Sequence, residues 1–321
     1  MAFTAEQLAE RKKGIGGSDA PCIFGYGYLS TLELYFRKRG QIDDSAEQNE
    51  AMFWGTVLEE PIADVWAERK GVKIRRVPVM QWSKEYPWMF CSIDRHIMGD
   101  AAGPGVLEVK NFNEWRGKEL DERDLDTVPL GVRIQAMHGM AVFDWTWAEI
   151  AILVGGNRLY SWRMERDEEA VQTLIEQERL FMESVKAGIP PEPNYRAADV
   201  LSGVYAQGGG EAVTVQDGRV LQIGRDAIRY RDLAKEYAKE FEQRKNAIKL
   251  YMGNAECCGM PGVGEFTWKK TKDKSVLIFD EATFKAENPS QYKAYLKKIP
   301  KPGHRTFRMK TEEDAADVSE E

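Results

Sequence analysis

Histidine is scarce. Only three occur in 321 residues, His96, His138 and His304, and their wide separation argues against an imidazole-rich metal site or a Ser/His/Asp triad. The four cysteines, Cys22, Cys91, Cys257 and Cys258, show no C-x-x-C pair and no zinc-finger spacing. Adjacent Cys257 and Cys258 are poor disulfide partners, so reduced thiols are expected. No apolar run approaches the roughly 18 residues that cross a bilayer. Met1–Gln7 lacks the basic and apolar regions of a signal peptide, so a cytoplasmic protein with no membrane partner is expected. Positive charge is in deficit too: the formal net charge of −7 argues against broad coating of nucleic acid. A basic channel inside an acidic shell stays possible, because basic residues cluster around 11–13, 37–39, 73–76, 269–274 and 297–301. With 43% hydrophobic residues the chain has core enough for one large domain or two modest ones. Metal chemistry through oxygen ligands is what these shortages leave open.

The stretch that carries such chemistry is Gly105-Val106-Leu107-Glu108-Val109-Lys110. In a strand, successive side chains point to opposite faces, so Glu108 and Lys110 project together while Leu107 and Val109 turn into a core. Upstream, Cys91-Ser92-Ile93-Asp94 reads as a second short strand, and the turn formers from Gly99 to Gly105 join the two as a hairpin that brings Asp94 toward Glu108. Two carboxylates and a lysine on one sheet suit a hard cation such as Mg²⁺, with the lysine left to handle a water or a phosphate oxygen. An exposed hairpin with an ordinary salt bridge is the plainer reading, and the rest of the chain has to decide.

Residues 4–13 read as a short helix, followed by Gly16-Gly17-Ser18-Asp19-Ala20-Pro21, where Ser18 or Asp19 caps a second helix. Such a terminus suits a phosphate, with Arg11 as counter-charge, although a plain capped helix is the favoured reading of this segment by itself. From residue 50 to 70 an apolar stripe of Phe53, Trp54, Val57, Leu58, Ile62, Ala63 and Trp66 predicts a helix kinked or broken at Pro61, with Glu59 and Glu60 beside the stripe. Strands are expected over 72–77 and 89–97, a helix over 128–143 carrying Gln135, a hairpin of 148–154 with 159–164, and a helix over 168–186. Gly188 to Pro193 marks the best domain boundary, giving a block of residues 1–190 and an α+β extension of residues 191–321. In the extension we expect a hairpin at Asp217-Gly218, an amphipathic helix over about 226–252, strands over 264–271 and 305–310, and an acidic tail.

Ile15-Gly16-Gly17-Ser18-Asp19-Ala20, Trp54-Gly55 leading to Leu58-Glu59, Cys91-Ser92-Ile93-Asp94, Leu107-Glu108-Val109-Lys110 and a helical Gln135 stand in an order and spacing that resemble the YqaJ-like viral recombinases, relatives of phage lambda exonuclease within the PD-(D/E)XK nucleases. The resemblance covers roughly residues 8–190 and implies an α/β fold, a restriction-endonuclease-like mixed central sheet flanked by helices. It implies that Asp94, Glu108 and the Val109 carbonyl ligate Mg²⁺ (with Mn²⁺ as a substitute), and that Glu59, rather than Glu60, completes the metal site. Lys110 would orient or activate the attacking water beside Gln135, and Arg11 and Ser18 would hold a 5′-phosphate. The implied activity is 5′→3′ exonuclease digestion of double-stranded DNA ends, leaving 3′ overhangs for a phage single-strand annealing protein. The implied assembly is a homo-oligomeric ring, most simply a trimer. Two residues depart from the family pattern: Ile93 stands where proline is frequent and Arg95 where glycine is common, so the turn after Asp94 is expected to differ. A Cas4-like or helicase-linked nuclease is disfavoured because the cysteines lack iron–sulfur spacing. A non-catalytic DNA-binding scaffold is disfavoured because the whole metal-site set is present.

Overall fold

The computed structural model describes residues 5–42, 49–77, 80–195, 197–207, 210, 212–272 and 279–298. The chain divides into two compact units, Met1–Ala206 and Gln207–Glu321. The first opens with helices α1 (Ala5–Arg11), α2 (Ala20–Ile23), α3 (Thr31–Lys38) and α4 (Glu50–Lys70). Short strands β1 (Lys73–Arg75), β2 (Gln81–Trp82), β3 (Phe90–Cys91) and β4 (Arg95–Met98) lead into β5 (Gly105–Phe112). Helix α5 (Leu130–Phe143), strands β6 (Trp147–Val154) and β7 (Arg158–Glu165), and helices α6 (Glu168–Ala187) and α7 (Ala198–Val204) complete it.

One mixed sheet runs in the order β1-β4-β5-β6-β7. Antiparallel pairing of β4 with β5 sets Arg95 opposite Leu107 and Ile97 opposite Gly105, as the glycine-rich turn between them requires. Strands β5 and β6 are parallel, and α5 makes the long crossover that parallel neighbours need. The period of two along β5 then sorts its side chains. Leu107 and Val109 face Ile62, Ala63, Trp66 and Ala67 of α4. Val106 and Phe112 fall into the larger cluster with Val132, Ala136 and Met140 of α5 and Leu174 of α6. The sheet is thus covered on both sides, and Glu108 and Lys110 lie on the α5 side.

Helix α4 is not broken at Pro61, and it departs from expectation in its apolar stripe. It is continuous through Pro61, capped by the Asn49 side chain on the Met52 N–H at 2.9 Å and ended by left-handed Gly71. Its apolar stripe is only half used: Ile62, Ala63, Trp66 and Ala67 are buried against the sheet, whereas Phe53, Trp54 and Val57 are exposed. The unit boundary also moves. The compact unit runs beyond the proline-rich stretch at residues 190–193 because Ala197 is buried and Val200, Leu201 and Val204 return to the core, where Tyr205 meets Phe36 edge-on. A fragment ending at Ala206 is therefore expected to fold with the site intact. One ending at residue 190 should melt measurably lower, since it loses three partly buried aliphatic side chains, each worth a fraction of the roughly 1.5–3 kcal/mol that full burial contributes. Equal melting temperatures for the two fragments would contradict this packing.

In the second unit, α8 (Gly218–Met252) is longer than the periodicity predicts. Asp217-Gly218 is its start and not a hairpin: the Asp217 carboxylate accepts the N–H groups of Arg219 at 2.8 Å and Val220 at 3.2 Å. Strands β8 (Cys257–Met260) and β9 (Gly264–Thr267) form an antiparallel hairpin, followed by α9 (Glu281–Glu287) and α10 (Pro289–Tyr295). The strand expected over 305–310 and the acidic tail lie outside the described residues. Among the described residues, no helix is long and apolar enough to cross a membrane.

Candidate active site

Strand β5 outruns its neighbour. Pairing with β4 ends at Arg95↔Leu107, and just past that end Asp94 turns its carboxylate onto the freed backbone, Oδ2 accepting the Val109 N–H at 2.7 Å. The N–H and C=O of one strand residue point to the same edge, so the Val109 carbonyl faces the Asp94 side as well. Glu108 is only 3% exposed, and its Oε1 accepts a hydrogen bond from Lys110 Nζ at 2.5 Å. The same ammonium donates to Gln135 Oε1 on α5 at 3.1 Å. Asp94, which lies just ahead of β4 and not in the strand expected through residues 91–94, thus meets Glu108 and Lys110 of β5 and Gln135 of α5.

Electrostatics mark this cluster as strained in charge. Burial, then the neighbouring Glu108 and more distantly Glu59, hold the Asp94 carboxyl well above the usual carboxylate range, with Lys110 and the Val109 N–H opposing. Burial alone would lower Lys110, but Glu108 and Asp94 outweigh it and raise its affinity for the proton, so it stays an ammonium. A thiol sits behind the carboxylates. Burial, Glu108 and Asp94 push Cys91 well above its ordinary value, which keeps it protonated and unsuited to metal or nucleophile chemistry.

Glu59 is near enough to Asp94 to raise its carboxyl, and it is engaged by an arginine. Its Oε1 is 2.8 Å from Arg95 Nη1, and the same nitrogen donates to the Asp94 carbonyl at 2.6 Å. Arg95, 4% exposed, therefore ties α4 to the backbone of Asp94. The residue read as a departure from the family pattern is thus a buried guanidinium at the start of β4. Glu60 is exposed. Among the described residues no three acidic, imidazole or thiol groups are gathered as a metal cluster. Asp94, Glu108 and the Val109 carbonyl nevertheless fit a hard divalent ion. They are oxygen donors on neighbouring positions of β5 and just ahead of β4, and Asp94, raised by burial and then by Glu108, is a carboxyl whose ionised form a divalent cation would favour.

The second predicted locus is rebuilt. Arg11 Nη2 reaches Ser18 Oγ at 3.3 Å, so that pair does meet. The helix terminus proposed to cradle a phosphate does not form one: α2 has four residues, and Asp19 makes no side-chain cap. Its carboxylate instead accepts the Gly16 N–H at 3.1 Å and Lys38 Nζ at 2.7 Å, with Arg11 3.6 Å away. Burial would raise Asp19, but Lys38 and Arg11 outweigh it and lower it, so an ionised carboxylate stands where an anion was expected. Gly16 is needed for another reason: a Cβ there would stand 2.8 Å from the Phe90 ring. What remains is a small recess lined by Arg11, Asp19, Tyr28, Arg37 and Lys38, with two cations paired to one carboxylate.

Sequence reasoning also missed a buried support behind Gln135. His138, one turn along α5, places Nδ1 2.7 Å from Glu178 Oε1 on α6 and Nε2 2.8 Å from the Phe90 carbonyl. Burial opposes charge on His138, but Glu178 and that carbonyl outweigh it and raise its proton affinity. The helical spacing from Gln135 to His138 was a visible signal. Glu178, forty residues away, was not.

Comparison with known proteins adds three findings. A family model described as YqaJ-like viral recombinase domain matches residues 6–148. An uncharacterized protein, YqaJ, of Bacillus subtilis is 30% identical over 298 residues, spanning 86% of this chain and 89% of that one. Two crystal structures are similar at lower level: an alkaline exonuclease from Laribacter hongkongensis, at 20% identity and TM-score 0.47 over 58% of this chain and 94% of that one, and a phage-related exonuclease from Haemophilus somnus 129PT, at 11% identity and TM-score 0.44 over 55% and 96%.

Proposed function

The chain belongs to the YqaJ-like viral recombinase family, a membership that supports a nuclease role, and we propose that it is a Mg²⁺-dependent 5′→3′ exonuclease acting on double-stranded DNA ends in the cytoplasm. The observation that carries this is the meeting of Asp94, Glu108, Lys110 and Gln135 where β5 runs past β4. Asp94, Glu108 and the Val109 carbonyl would hold the ion, and Glu59 would complete the set on release from Arg95. The bound ion supplies charge stabilisation for the attacking and leaving oxygens of a phosphodiester. The chain's own side chains do the positioning. Lys110, kept as an ammonium by Glu108 and Asp94, serves as a fixed cation that orients water and phosphate rather than as a base. Gln135 holds that ammonium from the helix side.

In this reading the product is a 3′ overhang passed to a phage single-strand annealing protein, and the working form is a homo-oligomeric ring, a trimer in the simplest case. A ring lets an acidic chain retain DNA by concentrating positive charge inward. The test is digestion of linear duplex against nicked and closed circles with Mg²⁺ and with chelator. Mg²⁺-dependent loss of the linear form alone supports an end-directed exonuclease, and loss of nothing supports a scaffold.

In this reading Arg11 and Ser18 hold the 5′-phosphate with Lys38 beside them, against the opposing charge of Asp19, which pairs with both cations. Arg11→Ala is expected to shrink the preference for 5′-phosphorylated over 5′-hydroxyl ends by about ten- to hundredfold, the worth of a charge-assisted hydrogen bond of roughly 1.5–3 kcal/mol. Kinetics on matched ends decide it: an unchanged preference would leave Arg11 as a partner of Asp19 only.

A further inference from the structure

Past Lys110, β5 runs into a turn that puts an indole into solvent. Asn113 organises this turn: its Oδ1 accepts the Arg116 N–H at 2.8 Å and its carbonyl accepts the Gly117 N–H at 3.1 Å. Gly117 lies hard against β6, where a Cβ would stand 2.3 Å from a Val154 methyl carbon, so the turn is fixed to the sheet. On that support Trp115 is 84% exposed. Lys118 Nζ lies 5.8 Å from the Trp115 ring centroid, and the Arg116 guanidinium sits 4.0 Å over the Phe112 ring. Arg116 is also near enough to Lys110 to act against its positive charge.

A solvent-facing indole on a turn anchored to the sheet, with Lys118 beside its ring and Arg116 held next to it in the chain over Phe112, matches one chemistry well: the flat face of a nucleobase with its flanking phosphates. The depth of the carboxylates supplies the need. Glu108 is 3% exposed, so a strand end must leave its duplex to bring a phosphodiester to it, and its base then loses the stack it had. We propose that Trp115 is the stacking platform for an unpaired base of the strand being cut, with Arg116 and Lys118 on the adjoining phosphates. This rests on the nuclease reading above and names how the substrate is held there.

The test is equilibrium binding by fluorescence anisotropy, with metal chelated so that nothing is hydrolysed, of a short labelled oligothymidylate and of the same strand made abasic. The wild type should prefer the strand with bases. Trp115→Ala should cut that preference about tenfold, with the salt dependence unchanged, and Trp115→Phe should keep most of it. Arg116→Gln should do the opposite, keeping the base preference while lowering the slope of log affinity against log salt by about 0.7, because one phosphate is no longer neutralised. A Trp115→Ala protein that favours bases as the wild type does overturns the platform. If it does so while the wild type still digests linear duplex, only the platform falls. A wild type that binds neither strand and digests nothing overturns the nuclease reading with it.

Discussion

Asp94→Ala and Glu108→Ala should each abolish Mg²⁺-dependent hydrolysis while leaving a folded protein. The expected loss exceeds the roughly hundred- to thousandfold that removing a single transition-state hydrogen-bond donor costs, because the ion itself is then too weakly held to act. The two carboxylates differ in what surrounds them. Asp94 binds the Val109 N–H and is raised by burial and by Glu108, whereas Glu108 is paired to Lys110. Removing Asp94 relieves its crowding with Glu108 but leaves the Val109 N–H without its partner, so the metal-free variant should melt close to the metal-free wild type. What it should lose is the rise in melting temperature on adding Mg²⁺, since only a state that binds the ion is stabilised by it. A variant with normal hydrolysis, or one still stabilised by Mg²⁺ as the wild type is, would remove Asp94 from the metal site.

Lys110→Ala should separate binding from chemistry. Its ammonium touches Glu108 and Gln135, so its loss removes a fixed cation beside the reacting oxygens and leaves the oxygen ligands in place. Cleavage should fall by roughly 10²–10⁴-fold, the range associated with a positioned proton-transfer or charge-stabilising group. The Mg²⁺-induced melting shift should persist, and so should DNA affinity within a few-fold. Loss of metal stabilisation in step with activity would instead make Lys110 a support for Glu108.

The central hairpin was legible because its signals are local. A period of two put Glu108 and Lys110 on one face, and the glycines from Gly99 to Gly105 fixed the turn that returns Asp94 to them. Helical spacing put Gln135 on a face of its helix, and only the family resemblance put it beside Lys110. The harder residues are those whose meaning depends on burial. Asp19 looked like a helix cap until Lys38 arrived from another helix to hold it, and Arg95 looked like a lost glycine until Glu59 met it from α4. Asp217-Gly218 shows a different limit: the same dipeptide starts a tight turn or caps a helix, and the 35-residue helix behind it decides. Likewise, the apolar stripe of α4 reads the same along its whole length, although only its second half has a sheet to cover.

The most direct measurement follows the two ends of one duplex. Linear DNA carrying distinguishable labels at its 5′ and 3′ termini is incubated with the full chain and Mg²⁺, alongside Glu108→Ala. The account predicts early release of the 5′ label in small products, retention of the 3′ label on an intact strand, and no release by the variant or in chelator. Early loss of the 3′ label would reverse the polarity, and an intact duplex at every time point would contradict the assignment of Asp94, Glu108 and Lys110 to hydrolysis.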